Sequence, residues 1–277
     1  MTAARFAVIA AVACSPSPAL RGPASGPTTV GPSLPAGFTL DVVVPWQAEL
    51  VLARLRLDDH ARPFLLTQDT IVPLKQLPDG STANAFRIAG IDAITDLTWN
   101  TDGVMLLVVG RQLGTLDEHG FRALVDLPVA GMRVVSAGPD HCWLFAPRAP
   151  TGDLYLYDKN GTIAEVVRAR SPVTGVSGSA RQAVAAIDTS IVKFGTDGTI
   201  QMVFDGDQAI TAIAASDGGG VFFATAGGTF FLSPRNALTR LTATGARGIE
   251  IRGDDVFFIL EDVGIVHGAK VSAFRTQ

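Results

Sequence analysis

A phrase of strand, tight turn and strand returns along this chain at a stride close to 40 residues, and few folds accommodate such a repeat. The clearest copies are LYLYDKNGTIAEVV (residues 154–167) and IVKFGTDGTIQMVF (residues 191–204). In each, strand-forming residues flank Asn-Gly or Asp-Gly, pairs that supply the positive φ angles of a type I′ hairpin turn. Weaker copies place the turn at Asp79-Gly80, His119-Gly120 and Asn236-Ala237, with a last one near His267-Gly268. Gly80 to Gly120 is 40 residues, Gly120 to Gly161 is 41, Gly161 to Gly198 is 37 and Gly198 to Ala237 is 39. Only Ala237 to Gly268, at 31, is short. Hairpins of equal length can cover each other's apolar faces by packing radially, which is the logic of β-propeller blades. The expected fold is all-β, a six-bladed β-propeller of four-stranded antiparallel blades, with five- and seven-bladed rings as the neighbouring counts.

The blades fall at about 47–90, 91–130, 131–171, 172–208, 209–246 and 247–277. Five of them open on similar segments: ITDLTWN, MRVVSAG, VTGVSGS, ITAIAAS and RGIEIRG. Their mixture of small, polar and apolar residues suits an innermost strand crowded around a central channel. The segments that follow, VMLLVVG, CWLFAP, AVAAID, GVFFAT and DVFFILED, are continuously apolar and suit strands buried on both faces. No stretch sustains a 3.6-residue apolar period, so almost no helix is expected beyond the leader. WQAELVLARLRLDD (residues 46–59) has helical propensity, but Leu55-Arg56-Leu57 alternates where the first blade needs its inner strand. The strand FTLDVVVP (residues 38–45) lies outside the repeat and is free to pair with the last blade. The alternative closure uses residues 271–275.

Ahead of this domain the chain changes character. Residues 1–14 carry one positive charge (Arg5), a short apolar run from Phe6 and small residues before Cys14, the layout of a secretory signal peptide. Ala11-Val12-Ala13-Cys14 resembles a bacterial lipobox, with Ala11 where Leu is usual, and implies lipidation at Cys14. An ordinary cleaved signal and an internal start codon are the alternatives. Residues 15–37, rich in Pro, Ser, Gly and Thr, read as a flexible linker, because such a stretch buries too little to offset its ordering entropy. The chain is therefore expected to be an exported protein of the bacterial cell envelope, an outer-membrane or periplasmic lipoprotein, with a secreted form as the alternative.

Composition excludes other classes. Of 277 residues, 47% are hydrophobic and 17% charged, enough apolar content for one large core and too little charge for a disordered chain. A net charge of −4, with 22 basic residues scattered along the chain, argues against a nucleic-acid partner. The two cysteines, Cys14 and Cys142, have no framework spacing, and Cys142 in HCWLF reads as a small hydrophobe on a strand.

No catalytic constellation stands out. His60, His119, His141 and His267 have no metal-ligand spacing, and His119 and His267 are expected at hairpin tips. GVSGS (residues 175–179) lacks the helix of a nucleophile elbow and reads as an inner strand. FDGDQ (residues 204–208) places two carboxylates in one loop, where a calcium ion is conceivable beside the plainer reading of a solvated turn.

Residues 38–277 resemble the six-bladed propeller group of NHL-repeat, TolB-like and gluconolactonase-like proteins. The opening LPAGFTLDVV (residues 34–43) is similar to the first strand of quinoprotein sugar-dehydrogenase propellers. The gluconolactonase resemblance implies a divalent metal at the channel mouth, held by Glu, Asn and Asp. Here Asn100, Asn160 and Asn236 fall in turns, so no Asn is left at the expected mouth. The His base and basic cofactor cradle of the quinoproteins are not matched either.

Connections entering successive blades bring Asp92, Arg133, Arg168, Arg170, Asp207 and Arg247 to one end of the ring. Those between second and third strands add Arg148, Asp188 and Asp262. Mixed Arg and Asp side chains there suit a partner surface or a small anion, since Arg binds carboxylate and phosphate bidentately. The expected function is a non-enzymatic, membrane-tethered propeller that displays its loops to a protein partner or envelope component. The alternatives are a metal-dependent sugar or lactone hydrolase or lyase at the channel mouth, and a periplasmic small-anion binder.

Overall fold

The computed structural model describes residues 34–46, 50, 53–67, 70–74, 86–87, 91, 93–117, 119–147, 151–179, 181–195 and 199–276. The leader with Cys14, most of the linker, Asp92, Arg148 and the expected turns at Gly80 and Gly198 lie outside them.

Six four-stranded antiparallel sheets form a ring. Blade 1 comprises β2 (Arg54–Leu57), β3 (Pro63–Leu66), β4 (Thr70–Pro73) and β5 (Phe86–Arg87). Blade 2 comprises β6 (Asp96–Trp99), β7 (Met105–Val109), β8 (Gln112–Asp117) and β9 (Gly120–Asp126). Blade 3 is β10 (Arg133–Ser136), β11 (His141–Phe145), β12 (Gly152–Asp158) and β13 (Ile163–Ala169). Blade 4 is β14 (Val173–Gly178), β15 (Gln182–Ile187), β16 (Ser190–Gly195) and β17 (Ile200–Asp205). Blade 5 is β18 (Ile210–Ala215), β19 (Val221–Thr225), β20 (Gly228–Leu232) and β21 (Leu238–Thr242). Blade 6 takes β22 (Ala246–Arg252), β23 (Asp255–Leu260) and β24 (Gly264–Ala269) from the end of the chain and its outermost strand, β1 (Thr39–Pro45), from the beginning. The order β1-β24-β23-β22 closes the ring, with Thr39 opposite Ala269 and Pro45 opposite Gly264.

The short final stride now has a physical cause. Blade 6 borrows its fourth strand, so it contains no third hairpin, and His267-Gly268 sits within β24 opposite β1 rather than in a turn. The expectation that His267 occupies a hairpin tip is thereby corrected: it stacks on Phe257 with ring centroids 4.5 Å apart and meets Asp255 at 2.7 Å. Residues 271–275, the alternative closure, form part of a 3₁₀ helix (Val271–Thr276) that packs Phe274 against Phe38 at 4.7 Å. Pairs of Asn-Gly type were also expected to make type I′ turns, and the described ones do not. In Asp158–Gly161, the Gly161 N–H reaches the Asp158 carbonyl, the Asp158 N–H reaches the Thr162 carbonyl, and left-handed φ is assigned to Gly161 and not to Asn160. This is a type I turn closed by a bulge, in which the first residue also caps the loop, the Asp158 carboxylate accepting from Asn160 N–H. Asn236 fills the same left-handed place after Ser233.

The core is divided among the six seams between blades. Along β11, Cys142 and Leu144 face blade 2, whereas Trp143 and Phe145 face blade 4. Along β19, Val221 and Phe223 face blade 4, and Phe222 and Ala224 face blade 6. This is why the second strand of every blade is continuously apolar: alternate side chains enter different seams, and both are buried. The largest seam, between blades 5 and 6, gathers Phe222, Phe231, Phe258 and Phe274 with Phe38.

Candidate functional site

The innermost strands run parallel around the axis, each hydrogen-bonded to its own blade along one edge only. Their other edges face the channel, and side chains of one strand supply partners for the next. The Asp96 carboxylate accepts from Val134 N–H at 3.2 Å, Thr98 Oγ1 from Ser136 N–H at 3.3 Å and Ser177 Oγ from Ala215 N–H at 2.8 Å. Thr174 and Thr211 hydroxyls donate to the Ile210 and Ala246 carbonyls at 2.8 and 3.0 Å. The polar residues of these strands thus satisfy edge groups that a purely apolar strand would leave open.

One residue ties three blades together. Arg56 on β2 donates from Nη2 to both Asp96 carboxylate oxygens at 2.6 and 2.7 Å, and from Nη1 to Glu250 Oε1 at 2.6 Å. Its remaining donors reach the Leu97 carbonyl at 2.8 Å and the Leu55 carbonyl at 2.7 Å. Asp96 is fully buried, and the Glu250 side chain is 27% exposed. Burial alone would weaken the guanidinium's hold on its proton; Asp96 and Glu250 reverse this and hold Arg56 above its ordinary range. Burial raises Glu250 above its ordinary 4.5; Arg56 pulls it back, Asp96 pushes it further up, and the first effect wins. Between the ordinary value and the raised one, the folded chain therefore holds a proton on Glu250 that the unfolded chain has released. Stability associated with this group falls as pH rises from about 4.5 through the raised folded value.

Above this cluster the channel opens into a cavity of about 540 Å³. Every inner strand contributes residues from its C-terminal half, among them Leu57, Thr98, Ser136, Ser177, Ala215 and Glu250. None of the residues that begin the inner strands lines it. The cavity is thus a cup with the ion cluster toward its base. It opens at the end that carries the connections between first and second strands. Two cations line its wall. Arg252, at the end of β22, gives one hydrogen bond to the Trp99 carbonyl at 3.1 Å. Lys193, on β16, enters at the seam of blades 4 and 5 and has no ion-pair partner among the described residues.

The described loop residues singled out by the repeat sit at the opposite end, where the inner strands begin. Arg133 opens β10, Arg247 is the second residue of β22, Arg168 is the second to last of β13, and Arg170 follows that strand. Asp188 and Asp262 occupy the turns after β15 and β23, each with left-handed φ. Arg247 pairs with Glu261 at 2.7 Å and Arg168 with Glu165 at 2.8 Å. Asp207 borders a smaller cavity of about 300 Å³ walled by Phe204, Phe223 and Phe230. None of these residues lines the channel cup. The described residues bring Asp58, Asp59 and His60 within 4.8 Å as one set of metal-ligand type, and Asp205 and Asp207 do not join such a set. Asp58 is spent locally, accepting from His60 N–H, Arg62 N–H and Arg62 Nε.

No family model matches the chain, and no curated protein matches its sequence. Solved structures do. A luciferin-regenerating enzyme matches with a TM-score of 0.62 and 10% identity, over 85% of this chain and 96% of that one. A gluconolactonase from Xanthomonas campestris matches with a TM-score of 0.57 and 13% identity, over 86% and 97%. Virginiamycin B lyase from Staphylococcus aureus, in a structure with quinupristin, matches with a TM-score of 0.57 and 15% identity, over 82% of each chain. At these identities the likeness is one of fold: the chain is a six-bladed β-propeller similar to lyase and gluconolactonase structures.

Proposed function

We propose that this chain is a ligand-binding propeller of the cell envelope, tethered through Cys14, that receives a small organic or inorganic anion in the channel cup. The observation that carries the reading is the convergence of Lys193 and Arg252 on one cavity lined also by hydroxyls, small and apolar residues and the two carboxylates Asp217 and Glu250. Of the loop arginines at the opposite end, Arg168 and Arg247 are already paired with Glu165 and Glu261. A panel of small carboxylates, sulfate and phosphates tests it by thermal melting. A ligand at a hundred times its Kd contributes about 2.7 kcal/mol, and about 2–4 °C per kcal/mol for a domain of this size gives a rise of roughly 5–10 °C. Lys193→Ala should abolish the rise without lowering the melting temperature of the free protein. A panel with no effect on the native protein would remove the reading.

The tether has its own test. Acyl chains on Cys14 contribute about 0.8 kcal/mol per buried CH₂, so Cys14→Ser should move the protein from the membrane fraction to the soluble one. Continued sedimentation of the variant with membranes would rule out a lipid on Cys14 as the anchor.

A second reading has one specific observation in its favour. Glu250 is a carboxyl with a raised proton affinity inside the cavity, which is what a general acid requires. On this reading the chain is a hydrolase or lyase, as some of its structural neighbours are named. Turnover of a lactone and ester panel, lost in Glu250→Gln, would select it over simple binding.

A further inference from the structure

The charge balance at the base of the cup has a consequence for whatever anion the cup receives. Arg56 contributes one positive charge, and Asp96 and Glu250 can contribute two negative ones. Asp96 takes the guanidinium with both oxygens and has no exposure to solvent, so its charge is matched in place. Glu250 shares what is left through Oε1 alone. Its Oε2 has no hydrogen-bond partner among the described residues, and the side chain lines the cavity. The cluster therefore carries a net charge of about −1 when Glu250 is ionised and is neutral when it is protonated.

We propose that the cup takes up a proton together with its anion, and that Glu250 holds the proton. This rests on the anion-binding reading of the cup and adds its regulation. An arriving anion sits in a cavity with Lys193, Arg252 and Asp217 on the wall and Glu250 toward the base, and of the two carboxyls Glu250 is the one coupled to the Arg56 cluster. An ionised Glu250 repels it, whereas a protonated Glu250 removes the repulsion and offers Oε2–H as a hydrogen-bond donor. The other groups that bear on Glu250 are Arg56 from β2, Asp96 from β6 and Arg252 two residues along its own strand. Burial already biases Glu250 toward its protonated form in the free protein, in the same direction as the anion would. The step balances simply: one proton leaves the buffer, the Glu250 carboxylate becomes a carboxylic acid, and no covalent bond of the ligand changes.

The test uses full-length protein and two anions that stay ionised from about pH 5 to about pH 9, sulfate and trifluoroacetate, so that the ligand's own titration plays no part. Calorimetry in two buffers of different protonation enthalpy reads the proton count directly. The expected result is uptake approaching one proton per anion between the Glu250 value of the free protein and its higher value in the complex. Within that range affinity should fall about tenfold per pH unit. Glu250→Gln should bind both anions with no proton uptake and a flat pH profile. Anion binding without buffer dependence in the native protein would overturn the proposal and leave the cup as an anion site. Uptake that persists in Glu250→Gln would overturn it too, by placing the proton elsewhere. Failure of both anions to bind either protein would overturn the proposal and the reading beneath it. The native measurement decides alone should the variant fold poorly.

Discussion

Arg56→Met is expected to lose about 3–5 kcal/mol of stability, the cost of leaving buried carboxylates without their cation. The size follows from how completely Arg56 is used. Six hydrogen bonds, two of them to backbone carbonyls, depend on its guanidinium, and Asp96 is fully buried. Against a typical net stability of about 5–15 kcal/mol, such a loss leaves a marginal protein. The pH dependence identifies the cause. Without Arg56, Glu250 loses the charge that pulls its proton affinity back, and its folded-state affinity rises further above that of the unfolded chain. The variant should therefore recover stability as pH falls and Glu250 protonates. Adding Asp96→Asn and Glu250→Gln should recover much of the loss near neutral pH. Urea titrations of the three proteins measure this. A loss below about 1 kcal/mol for Arg56→Met would mean that water solvates the cluster as it does a surface pair.

Removing residues 1–45 is expected to prevent formation of a monomeric propeller. The deletion strips β1 from blade 6, exposes the pairing edge of β24 and removes Phe38 from the blade 5–6 seam. Loss of a buried Phe alone costs about 3–5 kcal/mol, and an unpaired strand edge invites association with other chains. Gly264→Ala is the point-substitution version. Gly264 has φ of 120°, and a Cβ there would lie 2.0 Å from the Val44 carbonyl oxygen, so β1 cannot seat without backbone movement. Strain of this kind costs about 1–3 kcal/mol. Hydrogen exchange should show faster exchange along β1 and β24 in the variant. Unchanged protection there would show that the closure tolerates the displacement.

Much of the architecture was legible because the physics that builds a blade also writes its sequence. Two-sided burial demands runs such as VFFAT and DVFFIL, and crowding at the axis demands segments such as VTGVSG. The strand at 39–45 announced its role by having no place in the repeat. The His267-Gly268 turn was misread because Gly is ambiguous. Gly268 serves close packing, since a Cβ on it would lie 2.8 Å from both Phe38 and Val256. The ion cluster was missed for a different reason. Arg56 was read only as the polar member of Leu55-Arg56-Leu57, and its partners lie 40 and 194 residues away. A signal was present: Arg56 and Glu250 each stand between two apolar residues of an inner strand, and Asp96 begins another. Which end of the channel stays open was not legible, because it depends on how side chains from six strands fill a common axis.

The pairing of Thr39 with Ala269 also sets a timetable for the chain during synthesis. Some 230 residues separate these partners, so the segment that leaves the ribosome first must wait, unpaired, for one that leaves much later. Blades in the middle can dock in turn on their neighbours, whereas the joint has no earlier opportunity to form. Until then the nascent protein is an open arc with two sticky ends. Whatever shields the β24 edge during that interval decides how much of the protein matures.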